Sequence, residues 1–193
     1  MKTNKFYIIL TVIITVMGLN ANAQNCGVYK TYEDYTNGKM VVSINCATKD
    51  GKIKPNNFFK KDYVTVIKNG EKTDLKKNEI FGYQLCNGEF FRFLDNDRLT
   101  LADKSGLWIY TKEVIETVSP KRGTKKVTKY YFSKDGSGEI KSLTFSNLKD
   151  VIPANDPLYS EMELLFSSNS ALHAFNQSSG SYKINSFLNS KGL

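Results

Sequence analysis

The chain has 193 residues, of which 40% are hydrophobic and 12% aromatic, with 27 Lys and Arg against 19 Asp and Glu. This length suits one domain with a sizeable core, and the apolar content excludes a wholly disordered chain. The single histidine excludes a metal centre built from several histidines, and any Ser-His or Cys-His catalytic pair would depend on that one residue.

Residues 1–23 have the three-part pattern of a secretory signal peptide. Lys2 and Lys5 give a positive leader, an uncharged apolar run covers residues 6–19, and Ala21-Asn22-Ala23 supplies the small-residue cleavage pattern. As a helix this run would span about 21 Å, short of the roughly 30 Å hydrocarbon core, so a membrane anchor is the weaker alternative. We therefore expect a cleaved, exported protein, periplasmic or extracellular, with no transmembrane segment and a formal net charge reduced from +8 to +6.

Three cysteines make an odd number in a chain that we expect to be exported. One disulfide plus one free thiol is the natural arrangement in an oxidising compartment, and three pairings are open. Of these, Cys26–Cys46 closes the shortest loop and would tie the mature N-terminus to the first strand, so it is the disulfide that we predict. The alternative is that Cys26, Cys46 and Cys86 are buried, reduced residues. Their spacing fits no zinc motif, and we expect no metal site.

Short β-rich segments separated by turn residues run from about residue 40 to residue 145, which predicts an antiparallel sheet. The clearest hairpin spans residues 63–75 around the favoured turn Asn69-Gly70. A second hairpin, residues 79–95 around Asn87-Gly88, is apolar on both faces, so we expect it to be central. Two-residue turns predict the pairs Val64–Leu75, Val66–Thr73 and Lys68–Glu71 in the first hairpin, and Tyr83–Arg92 and Gly82–Phe93 in the second.

Towards the C-terminus the pattern changes to helical spacing. Asp156 can cap a helix that has Pro157 at its first position, and a short final helix is predicted over residues 181–189. We therefore predict an α+β fold: an antiparallel sheet of about 8–10 strands, strongly twisted or partly barrel-like, with a C-terminal helical cap. Residues 24–145 would form the β domain, and residues 146–193 a helical segment packed on the same domain.

The segment Gly27-Val-Tyr-Lys-Thr-Tyr-Glu-Asp-Tyr-Thr-Asn-Gly-Lys39 closely follows the expected cleavage site. It resembles the opening of a group of small exported bacterial proteins in which a signal peptide precedes a Gly-x-Tyr-x-Thr-Tyr-Glu-Asp-Tyr-like segment. The likeness continues at Val66–Glu71, Glu79–Tyr83 and Tyr182–Asn185. The group has no assigned activity, so the resemblance implies an envelope protein of a bacterium with two membranes, and no catalytic residues.

Motifs that would carry catalysis or metal binding are incomplete. The sequence has no nucleophile elbow, no His-Glu-x-x-His and no phosphate-cradling loop. Residues 133–140 imitate the middle of a calcium-binding loop, but Ser133 and Thr144 stand where Asp and a bidentate Glu are required. We interpret Asp135-Gly-Ser-Gly138 as a hairpin turn and expect no cofactor.

Two features suit binding. Tyr29, Tyr32 and Tyr35 cluster near the mature N-terminus, where tyrosines provide rigid contact area with a hydrogen-bonding tip; the alternative is that they belong to the core and its rim. A predicted hairpin tip carries the bases Lys121, Arg122, Lys125 and Lys126, which could contact anionic lipid headgroups. The alternative there is ordinary solvation and protection of a sheet edge.

The sequence thus favours an exported, non-catalytic envelope protein that binds a partner or ligand through its sheet face or its Tyr-rich N-terminal segment. The partner could be another envelope protein or a glycan. We expect no nucleic-acid partner, because an exported protein leaves the compartment that holds nucleic acid. One alternative is a hydrolase that uses scattered carboxylates, which two acids roughly 5–10 Å apart in a cleft would favour. The other is a protein that binds anionic membrane surfaces through its basic hairpin tips.

Overall fold

The computed structural model describes residues 25–57, 61–119 and 123–193, so the predicted signal peptide (1–23) and Lys121 and Arg122 lie outside the described residues. The strands are β1 (Asn25–Tyr29), β2 (Val42–Asn45), β3 (Gly51–Lys54), β4 (Tyr63–Lys68), β5 (Glu71–Lys76), β6 (Gly82–Gln84), β7 (Phe90–Leu94), β8 (Asp97–Asp103), β9 (Trp108–Ser119), β10 (Gly123–Ser133), β11 (Lys141–Ser142), β12 (Phe175–Asn176) and β13 (Ser181–Tyr182). The helices are α1 (Tyr32–Thr36), α2 (Phe145–Leu148), α3 (Pro157–Leu165), α4 (Asn169–Leu172) and α5 (Lys183–Ser190), with a 3₁₀ turn at Lys77–Glu79.

Among these described elements, eight strands form one antiparallel main sheet in the order β11-β10-β9-β8-β7-β6-β1-β2. Strands β6 to β11 follow one another as a meander, while β1 lies between β6 and β2. The sheet is open, with β2 and β11 at its edges. The prediction of an α+β fold dominated by antiparallel sheet, with helices towards the C-terminus, is confirmed.

A small sheet of β3, β4 and β5 contains the first predicted hairpin. Its register is confirmed, with Val64 opposite Leu75, Val66 opposite Thr73 and Lys68 opposite Glu71. Both turn residues have positive φ, 51° at Asn69 and 85° at Gly70. This conformation belongs to the tight turn whose twist matches that of the flanking strands, which is why Asn-Gly fixes the register.

The register predicted for the second hairpin is wrong by one residue. Tyr83 lies opposite Phe91, and Gln84 opposite Phe90. Three residues, 86–88, separate Leu85 from Glu89, which are joined by a hydrogen bond of 2.9 Å from the Leu85 N–H to the Glu89 carbonyl. The extra turn residue shifts the pairing, so Tyr83 stacks on Phe91 with ring centroids 4.9 Å apart.

The main sheet has two faces, defined by alternation along the strands and by side-by-side pairing across them. Face A carries Val28, Tyr83, Phe91, Thr100, Thr111 and Phe132. The small sheet packs on one end of this face, where Val66 joins Val28, Tyr83 and Phe91 in a buried cluster. The C-terminal helices pack on the other end, where Ile109 and Phe132 meet Leu148, Met162 and Ile184.

Face B is the opposite side of the main sheet. It carries the residues that alternate with those of face A along the same strands: Tyr29, Phe90, Leu99, Tyr110 and Tyr131. Helix α1 lies against this face. Its N-cap is Thr31, whose side chain accepts a hydrogen bond from the Asp34 N–H while the Asp34 carboxylate accepts one from the Thr31 N–H. This reciprocal cap lets a helix of only five residues begin at Tyr32.

The helical region follows the predicted signals. Asp156 caps α3 by accepting a hydrogen bond from the Leu158 N–H, with Pro157 at the first helical position. The predicted final helix corresponds to α5. Within the described ranges, none of the helices has the length and apolarity that crossing a bilayer requires.

The predicted Cys26–Cys46 disulfide is wrong: the structure joins Cys46 to Cys86 and leaves Cys26 as a buried free cysteine. Cys26 lies opposite Ile44 within the β1–β2 pair, whereas Cys46 follows the end of β2, in a turn that approaches the β6–β7 turn. The Cα atoms of Cys46 and Cys86 are 5.6 Å apart. Loop length favoured the other pairing, but strand register decides which Cβ atoms meet.

Candidate functional site

An open cleft of about 570 Å³ lies on face A, along β8 and β9, between the end packed by the small sheet and the end packed by the helices. Its volume falls within the roughly 300–1,000 Å³ usual for small-ligand sites. Such sites are mostly apolar, whereas this lining is polar or charged throughout: Asn57, Glu89, Asn96, Asp97, Arg98, Thr100, Thr111, Lys112 and Glu113.

Two threonines form the floor of the cleft. Thr100 and Thr111 are direct partners across β8 and β9, so both side chains project on face A. Their neighbours Leu99 and Leu101 point to face B and pack in its aromatic cluster. The leucines anchor the strand and leave the threonine hydroxyls facing the cleft, where each can donate and accept a hydrogen bond.

One rim of the cleft joins the two sheets. The guanidinium carbon of Arg98 lies 4.7 Å from the ring centroid of Phe91. In the amide orientation that satisfies both of its neighbours, Asn57 accepts a hydrogen bond from Nε of Arg98 at 3.1 Å and donates one to the carbonyl of Pro55 at 3.2 Å. Asn57 follows β3 of the small sheet, so this contact holds the loop beside the main sheet and orients the remaining donors of Arg98.

Two acidic residues of the cleft are in contact with solvent and with lysines. The carboxylate of Asp97 pairs with the ammonium group of Lys112, and the Asp97 side chain is 48% exposed. The Glu113 side chain is 74% exposed and lies 3.9 Å from Nζ of Lys126. Neither has the buried, apolar environment in which glycosidases hold a general acid.

A smaller depression of about 240 Å³ adjoins the cleft, because Thr111 of the cleft is the cross-strand partner of Tyr130, which lines the depression. Here the rings of Tyr130 and His173 are stacked, with centroids 3.8 Å apart and planes 7° apart. Burial lowers the pKa of His173. The imidazole therefore acts at neutral pH as a flat, uncharged ring that covers one side of Tyr130.

The structure brings Tyr29, Tyr32 and Tyr35 together on face B. Tyr29 is buried at 4% exposure, and its ring centroid is 5.2 Å from that of Tyr35. Tyr35 in turn lies 4.4 Å from Phe90, and Tyr32 lies 5.9 Å from Trp108, again between ring centroids. These contacts use the tyrosines to fix α1 on the sheet, which favours the alternative that they belong to the core and its rim.

An arginine that the sequence analysis did not single out lies within this aromatic cluster. The guanidinium of Arg92 is 4.5 Å from the ring centroid of Phe81 and donates to the Gly136 carbonyl at 2.9 Å and to the Tyr110 hydroxyl at 3.2 Å. It thereby fastens the loop after β10 over face B. Its role is structural, because these contacts engage it with protein groups.

Two of the predicted basic residues, Lys125 and Lys126, lie on a projecting hairpin. The described pairs between β8 and β9 reach Thr100 and Thr111, and β9 and β10 continue together as an arm, which we define as residues 112–119 and 123–129. Lys125 and Lys126 are exposed on this arm. The arm also exposes two apolar side chains, Ile115 at 71% and Val118 at 45%.

The segment that imitates a calcium loop is a turn. The carboxylate of Asp135 accepts hydrogen bonds from the hydroxyl and N–H of Ser137, both at 2.7 Å, and from the N–H of Gly138 at 2.9 Å. The Ser137 hydroxyl is the main cause that lowers the pKa of Asp135, and the backbone N–H groups add to it. The carboxylate of Asp135 thus accepts its hydrogen bonds from residues of the same turn.

Sequence reasoning missed the cleft residues, although one signal was present. In Arg98–Leu101 polar and apolar side chains alternate, which indicates a strand with one polar face. A polar strand face lines a cleft only where the small sheet and the C-terminal helices leave face A uncovered. The tertiary fold decides where that gap lies.

No protein-family model matches this sequence, and comparison with curated proteins and with solved structures finds no match.

Proposed function

We propose that the protein is an exported, non-catalytic envelope protein that binds a hydroxyl-rich ligand, such as a segment of cell-envelope glycan, in the polar cleft on face A. The observation that carries this proposal is the cleft itself, with its paired threonine floor and its Arg98–Asn57 rim. The signal-peptide pattern and the resemblance to small exported proteins support the envelope location.

The lining favours a ligand rich in hydroxyl groups over a strongly charged one. The lining includes three acids (Glu89, Asp97 and Glu113) and two bases (Arg98 and Lys112), so the charges nearly balance. Amide, hydroxyl, carboxylate and guanidinium groups together offer many donors and acceptors at short spacing. A sugar hydroxyl both donates and accepts, and it can therefore pair with each of these groups.

The exposure of the carboxylates supports binding over hydrolysis. A glycosidase needs one protonated acid and one ionised acid held in different environments. Asp97 and Glu113 are both paired with lysines and open to solvent, so their surroundings are alike. Release of shorter oligosaccharides on incubation with the protein would favour the hydrolase instead.

A titration followed by NMR tests the proposal. Uniformly ¹⁵N-labelled mature protein would be titrated to millimolar concentration with an N-acetylglucosamine tetramer, the probe for an envelope glycan. We expect amide shifts concentrated at Thr100, Thr111 and Arg98. The substitution Arg98→Ala should weaken binding about tenfold, the effect of losing one charge-assisted hydrogen bond.

The matched control is Lys52→Ala, which removes an exposed base from β3 outside the cleft. It should leave the affinity unchanged within twofold. Shifts that map to α1 or to residues 114–119 and 123–129 of the arm, or a complete lack of shifts with this tetramer and with a peptidoglycan digest, would contradict the proposal.

The arm supports a second candidate, binding to anionic membrane surfaces. Exposed Lys125 and Lys126 lie on the same projecting hairpin as the exposed side chains of Ile115 and Val118. A basic, partly apolar projection suits contact with lipid headgroups, and each base near the surface contributes about 1 kcal/mol.

Co-sedimentation with vesicles that contain phosphatidylglycerol tests this candidate. We expect binding at low salt that disappears as the salt concentration rises, and that Lys125→Glu with Lys126→Glu abolishes. The control pair Lys52→Glu with Lys54→Glu changes the same net charge on β3 and should retain binding if the arm is responsible. Equal loss in both double variants would mean that only the overall charge matters.

A further inference from the structure

The three cysteines of the chain form one cluster. Their Sγ atoms all lie within 4.8 Å of one another, although Cys46 and Cys86 are joined in a disulfide and Cys26 is free. The three differ in access to solvent: Cys26 is buried, Cys46 is half-buried and Cys86 is exposed. A thiol therefore lies beside a disulfide that has one exposed end.

The sheet topology explains this arrangement. β1 lies between β2 and β6 in the main sheet. Cys46 follows β2, and Cys86 lies in the turn after β6, so their disulfide joins the two chain segments that leave the strands on either side of β1. Cys26, on face A of β1, belongs to the buried cluster at this end of the sheet. The position of the thiol next to both sulfurs is therefore set by strand order.

We propose that these cysteines form an internal thiol–disulfide exchange site that can present Cys86 as a reactive thiol. The Cys26 thiol releases its proton to solvent, the resulting thiolate attacks Sγ of Cys46, the Cys46–Cys86 bond breaks as a Cys26–Cys46 disulfide forms, and Cys86 leaves as a thiolate that takes up a proton from solvent. One disulfide and one thiol are present before and after the step, so it needs no external oxidant or reductant.

Cys46 is the sulfur attacked because this choice gives the better leaving group. Cys86 lies in an exposed turn, where water can solvate the departing thiolate. The reverse step restores the observed pairing. The two pairings therefore interconvert, and the minor form exposes a thiol beside the residues of the β6–β7 turn.

The surroundings of Cys26 make the exchange slow. Burial raises the pKa of the Cys26 thiol, and the negative charge of Asp50 adds to this effect. Only a small fraction of Cys26 is a thiolate near neutral pH, and the rate of exchange is limited by that fraction. The ligand class for the exposed form is a thiol-reactive molecule: an electrophile, or a disulfide carried by another protein.

Trapping with N-ethylmaleimide under native conditions tests the proposal. The unreduced protein would be incubated with the reagent, quenched with acid, digested without reductant and mapped by mass spectrometry. We expect the label to accumulate on Cys86 over hours, together with an equal amount of a Cys26–Cys46 linked peptide. Label on Cys26 with the Cys46–Cys86 link intact, or no label at all, would overturn the proposal.

Two variants separate exchange from other routes. Cys26→Ser removes the attacking thiol and should reduce the labelling of Cys86 at least tenfold, whereas equal labelling would show that Cys86 is a free thiol without any exchange, which would overturn the proposal. Cys86→Ser leaves Cys26 and Cys46 alone, and oxidised glutathione should join them in a disulfide. Two persistent thiols in Cys86→Ser would show that their sulfurs cannot meet, which would also overturn the proposal.

Discussion

Asn185 of α5 makes two hydrogen bonds to the backbone of Leu107, accepting from its N–H at 3.0 Å and donating to its carbonyl at 2.9 Å. The same amide donates to the carboxylate of Asp103 at 3.0 Å, and Asn185 is completely buried. One side chain thus joins the last helix to the connection between β8 and β9, at the border of the helical layer and the main sheet.

Replacing Asn185 should destabilise the fold strongly. Asn185→Ala leaves the N–H and carbonyl of Leu107 without their partners in a buried site, and each unsatisfied group costs about 1–3 kcal/mol. We expect the free energy of unfolding to fall by about 3 kcal/mol in urea titrations followed by circular dichroism. Asn189→Ala, an exposed asparagine of the same helix, should change it by no more than about 0.5 kcal/mol.

A glycine pair in the loop after β10 gives a second test. A Cβ atom at residue 136 would overlap the ring of Tyr32 and lie 2.8 Å from a ring carbon of Trp108, whereas at Gly138 the nearest atom is 3.3 Å away. Gly136→Ala should therefore lower the free energy of unfolding by about 1–3 kcal/mol, and Gly138→Ala by distinctly less. The single tryptophan of the chain is Trp108, so its fluorescence reports both the unfolding and any displacement of α1. Equal costs for the two variants would show that the loop is not seated on these rings.

Acid should weaken the fold through His173. Burial lowers its pKa below the usual value of 6.5, so the folded state takes up a proton less readily than the unfolded chain does. The resulting stabilisation is fully present above about pH 6.5 and is lost as the pH falls through the lower pKa of the folded state. His173→Phe keeps a flat ring over Tyr130 and should remove the part of the decrease in unfolding free energy that occurs below pH 6.5. An NMR titration of the single imidazole gives the pKa directly, and a value at or above 6.5 would contradict this account.

Removing the disulfide should cost several kcal/mol. Cys46 and Cys86 are 40 residues apart, and the entropy of closing such a loop corresponds to about 4 kcal/mol in the chain-entropy treatment. The double substitution Cys46→Ser with Cys86→Ser should lower the urea midpoint accordingly, and a reductant should then have no further effect on it. A double variant as stable as the wild type would show that the reduced chain keeps this turn pair in contact.

Local signals predicted the hairpins as far as the turns determine them. Asn69-Gly70 fixes its register because both residues adopt positive φ in a two-residue turn, and all three predicted pairs around it are confirmed. Asn87-Gly88 looks identical in sequence, but there only Gly88 has positive φ, and Cys86 belongs to the turn and to a disulfide. The longer turn contains one end of the Cys46–Cys86 disulfide. The pattern Asn87-Gly88 alone cannot predict that disulfide or the extra turn residue.

The candidate site was harder to predict than the fold class. Helical spacing, capping residues and alternating strands predicted an antiparallel sheet with C-terminal helices, because these signals act over a few residues. Tyr29, Tyr32 and Tyr35, which the sequence suggested as binding residues, pack on face B. The cleft is lined by residues that belong to no recognisable motif, such as Thr100 and Thr111. Their place in a cleft follows from the gap between two layers that are distant in sequence.

The internal position of β1 has a consequence for how the chain folds. β1 pairs with β2 nearby, but its pairing with β6 places Gly27 opposite Gln84, and the Tyr29 hydroxyl donates to the side chain of Gln84, 55 positions away. In the meander from β6 to β11 each strand pairs with the next one in sequence, which needs only short loops to close. The pairing of β1 with β6 needs a long loop to close first, which costs more conformational entropy. We therefore expect the meander to serve as the folding nucleus, and the insertion of β1 between β6 and β2 to be the late step that limits the folding rate.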